Sequence, residues 1–250
     1  MRLKATLIVL GSILIGLALF FGWRGLDFLM FTGNSYFTIR EVKISTQLAV
    51  SEQKIRDLTG ITEGKNIFSF SASDKRKALL RNVPNLSEVT ISKTLPSCVE
   101  ITAIDRIPVI KIGTTNFASD KEGNIMVIDE SQRARWSSLP VLINGNERIH
   151  AVPGQKLSDK FLTALYVMNI YNEMDGISFH IEQIDVSGRI YLILQTAENS
   201  REVRLVWEEI SSHDNIRLAL KMASESLAQP NAASLIRLDV ILTKKSVYGI

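Results

Sequence analysis

Histidine and cysteine, which often serve in catalysis and metal binding, are few and widely spaced in the sequence. The three histidines, His150, His180 and His213, each lack a second histidine or cysteine two or four positions along the chain. A zinc site built on one element would need such a neighbour. A zinc site assembled from distant residues is the alternative that this spacing leaves open. By themselves, the histidines predict no metal centre.

The other reactive side chains also favour structural roles. Glu208 and Glu209 follow a predicted strand, which indicates a solvated strand end rather than a general acid and base converging on a pocket. Ser187 precedes Gly188 without the flanking glycines of a nucleophile turn, so a hairpin is predicted there. Cys98 lies in an alternating apolar run, which is typical of a buried and inert thiol. Because the sequence also contains no glycine-rich phosphate loop, we predict that the protein is not an enzyme and uses no cofactor or small-molecule substrate.

The composition is that of an ordinary globular protein. Of the 250 residues, 46% are hydrophobic and 22% are charged, and the net charge is only +3. The basic residues are scattered and form no stripe of the kind that a nucleic-acid-binding surface needs, so no nucleic-acid partner is expected. A single cysteine excludes an internal disulfide, so the stability of the fold has to come from its hydrophobic core.

An uncharged run at residues 5–23 stands near the start of the chain, bracketed by Lys4 and Arg24. At about 1.5 Å per residue, a helix of this length would span about 28 Å, close to the hydrocarbon thickness of a bilayer. Phe20 and Trp23 stand at its far end, where aromatic rings favour the headgroup interface. The run predicts a transmembrane helix that begins after Lys4 and ends at Trp23 and Arg24.

Two alternatives to an anchor stay open. A cleaved signal peptide usually has a shorter apolar stretch and a cleavage site of small residues, and no Ala-x-Ala pattern follows the run here. A buried core helix is seldom apolar on every face. Because Arg2 and Lys4 lie in the short leading segment, the positive-inside tendency predicts a cytoplasmic amino terminus, although Arg24 weighs weakly against it. The expected location is the inner (plasma) membrane, with most of the chain on the periplasmic or extracytoplasmic side.

After a connector at residues 24–36, hydrophobic spacing and capping residues predict a strand, two helices and two strands. The predicted elements span residues 37–45, 51–60, 73–83, 86–95 and 99–104. Ser51 and Ser73 are the predicted N-caps, because a serine hydroxyl can accept a hydrogen bond from the first turn of a helix. Gly60 predicts the end of the first helix and Pro84 the end of the second.

This module resembles a POTRA domain. The resemblance depends on the order of the elements directly after an anchor and on four local segments: FTIREV at 37–42, GKNIF at 64–68, NVP at 82–84 and DRIPV at 105–109. It implies a β-α-α-β-β fold over residues 37–108. POTRA modules are docking modules, so the resemblance also implies that this one accepts extended segments or other membrane-associated proteins.

The rest of the chain, residues 109–250, predicts a mixed sheet with two helices. Strands are expected within residues 116–129, 139–142, 181–186, 190–194, 202–207 and 235–242. One helix is expected to open at Leu157 or Ser158 and to end at Gly176, and a second to run from Asp214 towards Pro230. The predicted fold class is α+β. The predicted divisions are a cytoplasmic tail at 1–4, the transmembrane helix at 5–23, the connector at 24–36, the POTRA-like domain at 37–108 and the sheet domain at 109–250.

The whole layout resembles the bacterial cell-division family FtsQ/DivIB. In the sheet domain, the matching segments are the hairpin at 117–123, Leu-Pro-Val-Leu at 139–142, Ile184-Asp185-Val186 with Gly188 and Leu192-x-Leu194, Arg217-Leu218, and Leu238-Asp239-Val240. The chain departs from the family at three places: Leu205-Val206-Trp207 where Leu-Gly is common, Ile241-Leu242 where Arg-Tyr is common, and Ile250 where a late aromatic is common. The polar partner contacts of the family are therefore not carried over, whereas strand pairing requires only the backbone.

The resemblance implies a non-catalytic scaffold at the division septum that recruits septal wall synthesis. The implied partners are FtsB/DivIC-like and FtsL-like proteins, which are single-pass coiled-coil proteins. Two other functions compete with this one. An outer-membrane assembly or secretion component would need a barrel of many strands, and only about 140 residues follow the POTRA-like module. A membrane-anchored hydrolase would need a pocket in which His150 or His180 meets carboxylates.

The candidate docking site is the predicted final strand at residues 235–242. A chain that ends in a long apolar strand exposes an unpaired edge unless charge, proline or a partner covers it, and Lys244 and Lys245 follow this strand rather than interrupt it. A partner strand adding to the edge would form backbone hydrogen bonds. The opposite interpretation, a central strand paired on both sides, stays open. The candidate partner-binding residues are Ile236, Leu238, Asp239, Val240, Ile241, Leu242 and Ile250.

Overall fold

The structure, a computed structural model, describes residues 13–23, 25, 31, 33–47 and 50–250. Residues 13–23 are helical, and every side chain among them is exposed. Within the described residues, no helix combines the length and the hydropathy needed to cross a bilayer. The first part of the predicted span, with Lys4, lies outside the described residues, as does Arg24. The transmembrane helix therefore stays a prediction.

The chain divides into two compact units, residues 1–105 and 106–250. The helices and strands of the first unit are β1 (Glu41–Ser45), α1 (Glu52–Thr59), α2 (Ala72–Asn82), β2 (Leu86–Thr94) and β3 (Cys98–Asp105), preceded by a 3-10 turn at Ser35–Phe37. The strands form a sheet in the order β1-β3-β2, in which β1 is parallel and β2 antiparallel to β3. The predicted order of strand, helix, helix, strand and strand is thus present in the structure.

Serine caps set where the two helices of the first unit begin. Ser51 accepts a hydrogen bond from the N–H of Lys54, and Gly60 ends α1 in the left-handed conformation at φ 63°, as predicted. The predicted cap of α2 at Ser73 is wrong by two residues. Ser71 is the N-cap, and its hydroxyl accepts from the N–H of Asp74. The carboxylate of Asp74 lies in the first turn, where the helix dipole favours a negative charge.

The first unit has its own hydrophobic core between the two helices and the sheet. Its buried members come from both helices, from the sheet and from the segments that join them: Ile39, Val42, Val50, Ile55, Ile61, Ile67, Leu79, Val83, Leu86, Val89, Val99, Ile101 and Ala103. Along β3, Val99, Ile101 and Ala103 alternate with exposed residues, so one face of the strand is buried and the other is open.

The second unit is a mixed sheet with two helices on one face. Its strands are β4 (Pro108–Ile112), β5 (Phe117–Asp120), β6 (Ile125–Val127), β7 (Val141–Ile143), β8 (Ile181–Asp185), β9 (Tyr191–Thr196), β10 (Glu202–Val206), β11 (Arg237–Ile241) and β12 (Ser246–Gly249). Its helices are α3 (Asp159–Glu173) and α4 (His213–Leu227), with 3-10 turns at Glu130–Gln132 and Pro230–Ser234. The strand order in the described sheet is β12-β11-β10-β9-β8-β7-β4-β5-β6. The predicted α+β class with a mixed sheet is therefore confirmed.

Alternating burial shows which face of this sheet carries the core. Leu192 and Leu194 on β9, like Val203 and Leu205 on β10, are fully buried, whereas their strand neighbours are only half-buried. The buried face packs against α3 and α4, and Leu220 of α4 belongs to the same cluster. The opposite face carries half-buried side chains along β9 and β10, and a separate small buried cluster of Ala118, Met126 and Ile128 at β5 and β6. The sequence did not predict β4 and β12 as strands of this sheet.

Asp120, at the end of β5, ties three segments of the second unit together. Its Oδ1 accepts hydrogen bonds from the N–H groups of Glu122 and Asn124, and its Oδ2 lies 2.6 Å from a guanidinium nitrogen of Arg106. Burial alone would raise the pKa of Asp120, but the hydrogen bonds from Asn124 and the contact with Arg106 together hold the pKa below its usual value. The carboxylate therefore fixes the β5–β6 turn and the entry to β4.

Replacing Asp120 with alanine is expected to destabilise the second unit by about 3 kcal/mol, because it leaves the Arg106 charge partly buried without its carboxylate. Denaturant unfolding of the full-length protein, followed by the fluorescence of Trp136 and Trp207, measures this loss. Glu225→Ala is the control. Its contact with Lys221 is 3.9 Å long and exposed, so its removal is expected to cost about 0.5 kcal/mol or less. Equal effects of the two substitutions would contradict the role assigned to Asp120.

The same carboxylate predicts a pH dependence. Because the folded-state pKa of Asp120 is lowered, its contribution to stability is fully present above the ordinary pKa of an aspartate and is lost as the pH falls through the lowered value. Wild-type protein is thus expected to lose stability on acidification below about pH 4, the usual range of an aspartate. The Asp120→Ala variant should show a smaller loss over this interval.

Candidate functional site

The structure does not bring the three histidines together. His180 Nδ1 lies 2.7 Å from Oε1 of Glu198. His213, the first residue of α4, has its Nε2 3.9 Å from Oε2 of Glu173, the last residue of α3. His150 is exposed in a loop. Among the described residues, no group of three or more histidine, cysteine, aspartate or glutamate side chains is arranged to hold a metal ion.

The candidate nucleophiles Ser187 and Cys98 occupy structural positions. Oδ1 of Asp185 accepts hydrogen bonds from the N–H groups of Ser187 and Gly145, which holds the turn between β8 and β9. Cys98 is half-buried rather than buried, and its Sγ lies 3.8 Å from a carboxylate oxygen of Glu41. Burial, followed by the negative charge of Glu41, raises the pKa of the Cys98 thiol. A raised pKa disfavours the thiolate, which is the reactive form.

The predicted docking strand is not at the edge of the sheet. β11 pairs in parallel with β10 through Glu202↔Arg237 to Leu205↔Val240, and antiparallel with β12 on its other side. The placement of the edge at residues 235–242 is therefore corrected. An additional short strand, β12, covers β11, and β12 is the outermost described strand. Partner binding by the residues named from the sequence stays a prediction.

Those residues nevertheless gather around the same corner of the sheet. Leu238 and Val240 are buried in the core, Asp239 and Ile241 lie half-buried on the opposite face, and Leu242 is in the turn before β12. The exposed residues of the set are Ile236 and Ile250. The N–H of Ile236 donates to the carbonyl oxygen of Ile250 at 2.9 Å, so these two residues are neighbours. Tyr248, two positions before Ile250, is also exposed, and the period of two along a strand puts these two side chains on the same face.

The pairing of β12 with β11 shows which backbone groups point away from the sheet. Arg237 and Ile250 exchange two hydrogen bonds, of 3.1 and 3.0 Å. In an antiparallel ladder, such pairs alternate with pairs that exchange none. The register Asp239↔Tyr248 and Val240↔Val247 therefore turns the backbone groups of Tyr248 towards β11 and those of Val247 and Gly249 away from it. The outer side of β12 offers a donor and an acceptor at each of these two residues.

The opposite edge of the sheet is closed by the protein itself. At β6, the N–H of Ile125 donates to the carbonyl oxygen of Gln155, and the N–H of Gly154 donates to the carbonyl oxygen of Ile125, both at 2.8 Å. A loop thus occupies the outer groups of β6 in the way that natural sheets protect their edges. β12 has no equivalent cover among the described residues, so it is the edge available for strand addition.

Glu209 fixes the turn that joins β11 to β12. Its carboxylate accepts hydrogen bonds from the N–H of Leu242 at 2.6 Å and from both the N–H and the hydroxyl of Thr243, at 3.1 and 2.6 Å. Burial would raise the pKa of Glu209, but the hydrogen bonds from Thr243 and Leu242 outweigh it and lower the pKa. The sequence predicts that Glu209 lies at the solvated end of a strand. In the structure, Glu209 holds the hairpin that carries the open edge, through hydrogen bonds to residues more than 30 positions further along the chain.

The first unit has an open edge of its own. β2 pairs only with β3 in the described sheet. A recess of about 310 Å³ lies between β2 and α2, lined by Ala72, Ser73, Arg76, Val89, Thr90 and Ile91. An extended segment lying along β2 would meet backbone groups on one side and the side chains of α2 on the other.

Comparison with known proteins bears on the first unit. Residues 37–103 match the family model described as POTRA domain, FtsQ-type. The match covers the β-α-α-β-β unit described above and supports the resemblance to FtsQ/DivIB proteins. No curated protein sequence matches the chain.

Proposed function

We propose that this chain, whose residues 37–103 form an FtsQ-type POTRA domain, is a non-catalytic scaffold of the bacterial division machinery. In this proposal, the chain docks other single-pass division proteins by strand addition and recruits septal wall synthesis. The partners are FtsB/DivIC-like and FtsL-like coiled-coil proteins. The observation that carries the docking mechanism is the asymmetry of the large sheet, because β6 is covered by residues 154–155 whereas the outer groups of Val247 and Gly249 on β12 are not.

The edge at β12 suits a partner strand with alternating apolar side chains. Backbone groups of Val247 and Gly249 would form the ladder, and apolar side chains on one face of the partner would cover Tyr248 and Ile250. Burying such side chains contributes about 25 cal/mol per Å² of apolar surface. The recess beside β2 is a second place for an extended segment, consistent with docking by POTRA modules.

A membrane anchor completes the proposal. Residues 5–23 would hold the chain in the inner membrane with the amino terminus in the cytoplasm, with Lys4 at one end and Trp23 and Arg24 at the other. Confinement to one membrane raises the effective concentration of single-pass partners without any new contact. The anchor thus explains how a short edge strand, with few hydrogen bonds to offer, is sufficient for docking.

The position of the protein in dividing cells tests this function. A fluorescent protein fused to the amino terminus of the full chain is expected to form a band at midcell during constriction. An even distribution around the membrane throughout the cell cycle would contradict a division role. Ile104→Ser is the control variant, because its side chain is exposed on the first unit and lies on neither proposed docking edge. This variant should localise like the wild type.

A further inference from the structure

Exposed apolar side chains in the first unit are concentrated at one end. Beyond the helix at residues 13–23, the large apolar side chains that are exposed in the described part of this unit are Phe31, Tyr36, Phe68, Leu95 and Ile104. Tyr36 is 60% exposed and Leu95 is 56% exposed. Scattered single exposures are ordinary in soluble proteins, whereas a cluster marks an interaction surface.

The direction of the strands places Leu95 at the end where the chain enters β1. Because β1 and β3 are parallel with Glu41 opposite Cys98, both strands begin at the same end of the sheet. The tip of the β2–β3 hairpin, which carries Leu95, is therefore at that end too. The N–H of Arg40 donates to the carbonyl oxygen of Ser97 at 2.8 Å, which confirms the proximity. Ile104 lies near the other end of β3.

Phe31, Tyr36 and Phe68 belong to a packed aromatic cluster near the point where the chain enters β1. The ring of Phe68 lies 5.5 Å from that of Phe31 and 5.1 Å from that of Phe37, and Tyr36 lies 5.3 Å from Phe37. Nδ2 of Asn66 donates to the carbonyl oxygen of Phe31 at 2.9 Å. The cluster is thus fixed to the body of the unit, and its exposed rings are presented in one place.

Chain length links this cluster to the apolar helix. Phe31 follows Trp23 by eight positions, a separation that spans at most about 28 Å even when the chain is fully extended. The helix at residues 13–23 exposes all of its side chains, including Trp23. Any apolar medium that receives this helix therefore lies within reach of the aromatic cluster.

We propose that Phe31, Tyr36, Phe68 and Leu95 form a membrane seat, on which the first unit rests in the headgroup region of the bilayer that holds residues 5–23. This inference depends on the anchor in the proposed function. Aromatic rings favour the interface between lipid and water. The seat binds through these apolar side chains.

Fluorescence quenching in vesicles tests the seat. The full-length protein, with Cys98→Ser and a single new cysteine at Tyr36→Cys, Leu95→Cys or Ile104→Cys, is labelled with a polarity-sensitive dye. The protein is then reconstituted in phosphatidylcholine vesicles that contain spin-labelled lipid. Strong quenching and a blue-shifted emission are expected at positions 36 and 95. The matched position 104 should show neither.

A second pair of variants tests cooperation within the seat. With the dye kept at position 36, Leu95→Ser is expected to weaken the quenching, whereas Ile104→Ser should leave it unchanged. Both substitutions remove an exposed apolar side chain, so they differ only in the end of the unit that they alter. Equal effects of the two substitutions would overturn the seat.

Washing the vesicles at alkaline pH separates this inference from the proposed function. A protein that is released by the wash lacks the anchor, and both proposals fail. A protein that is retained but unquenched at positions 36 and 95 overturns the membrane seat alone. If the blue shift at these positions appears in native membranes and is absent from pure phospholipid, the surface binds a protein and the lipid assignment is wrong.

Discussion

Val247→Pro is expected to weaken partner capture strongly while leaving the fold intact. The N–H of Val247 points away from β11, so proline removes a donor that the protein itself does not use. Proline is tolerated on edge strands for this reason. An incoming strand would lose a hydrogen bond and meet the proline ring, a cost of about 2–3 kcal/mol, or roughly a 30- to 150-fold loss in affinity. Recovery of co-purifying single-pass proteins from native membranes measures the effect.

Tyr248→Pro is the matched control for this prediction. Its N–H points towards β11, so the same substitution one residue later breaks the ladder inside the protein. We expect a lower unfolding midpoint for Tyr248→Pro and an unchanged one for Val247→Pro. If Val247→Pro also unfolds the second unit, or if it captures partners as well as the wild type does, the open edge at β12 is not the docking site.

Glu209→Ala is expected to weaken partner capture without touching the docking surface. The substitution removes the acceptor for two N–H groups and one hydroxyl in the turn before β12. Hydrogen bonds to a charged group contribute about 1.5–3 kcal/mol, so the hairpin should open measurably more often. Amide hydrogen exchange at Tyr248, whose N–H faces β11, reports this opening directly. Partner capture should fall in proportion.

Glu208→Ala and acidification are the two checks on this role of Glu209. Glu208 is the exposed neighbour, and its removal should change neither exchange nor capture. Because the pKa of Glu209 is lowered in the folded protein, its contribution is present above the ordinary glutamate pKa and is lost as the pH falls through the lowered value. If Glu208→Ala accelerates exchange at Tyr248 as much as Glu209→Ala does, Glu209 does not hold the hairpin.

Most helices and strands can be predicted from the sequence, because each combines apolar periodicity with a capping or turn residue at its end. Ser51 and Gly60 bracket α1 as predicted. The sequence does not predict β4, because Pro108 resembles the exit of the POTRA-like module, although proline is acceptable as the first residue of a strand. Choosing Ser73 over Ser71 as a cap shifted α2 by two residues, since both serines precede the same apolar pattern.

The outermost described strand of the sheet is one strand beyond the segment that the sequence predicts. The segment Ser246–Gly249 is too short to show alternation. Lys245 adopts φ 45°, a left-handed conformation that the sequence gives no reason to expect at a lysine. The hydrogen bonds between Glu209 and Thr243 join residues far apart in the chain, so no local sequence pattern predicts them.

Residue-resolved amide hydrogen exchange of the full-length protein, with and without its co-purified single-pass partners, tests the central claim most directly. The amides of Val247 and Gly249 should exchange quickly in the protein alone and slowly when partners are bound, while Tyr248 stays slow in both states. This alternation is the signature of a strand added to the outer side of β12. Bound partners that leave Val247 and Gly249 exchanging quickly would contradict strand addition at this edge.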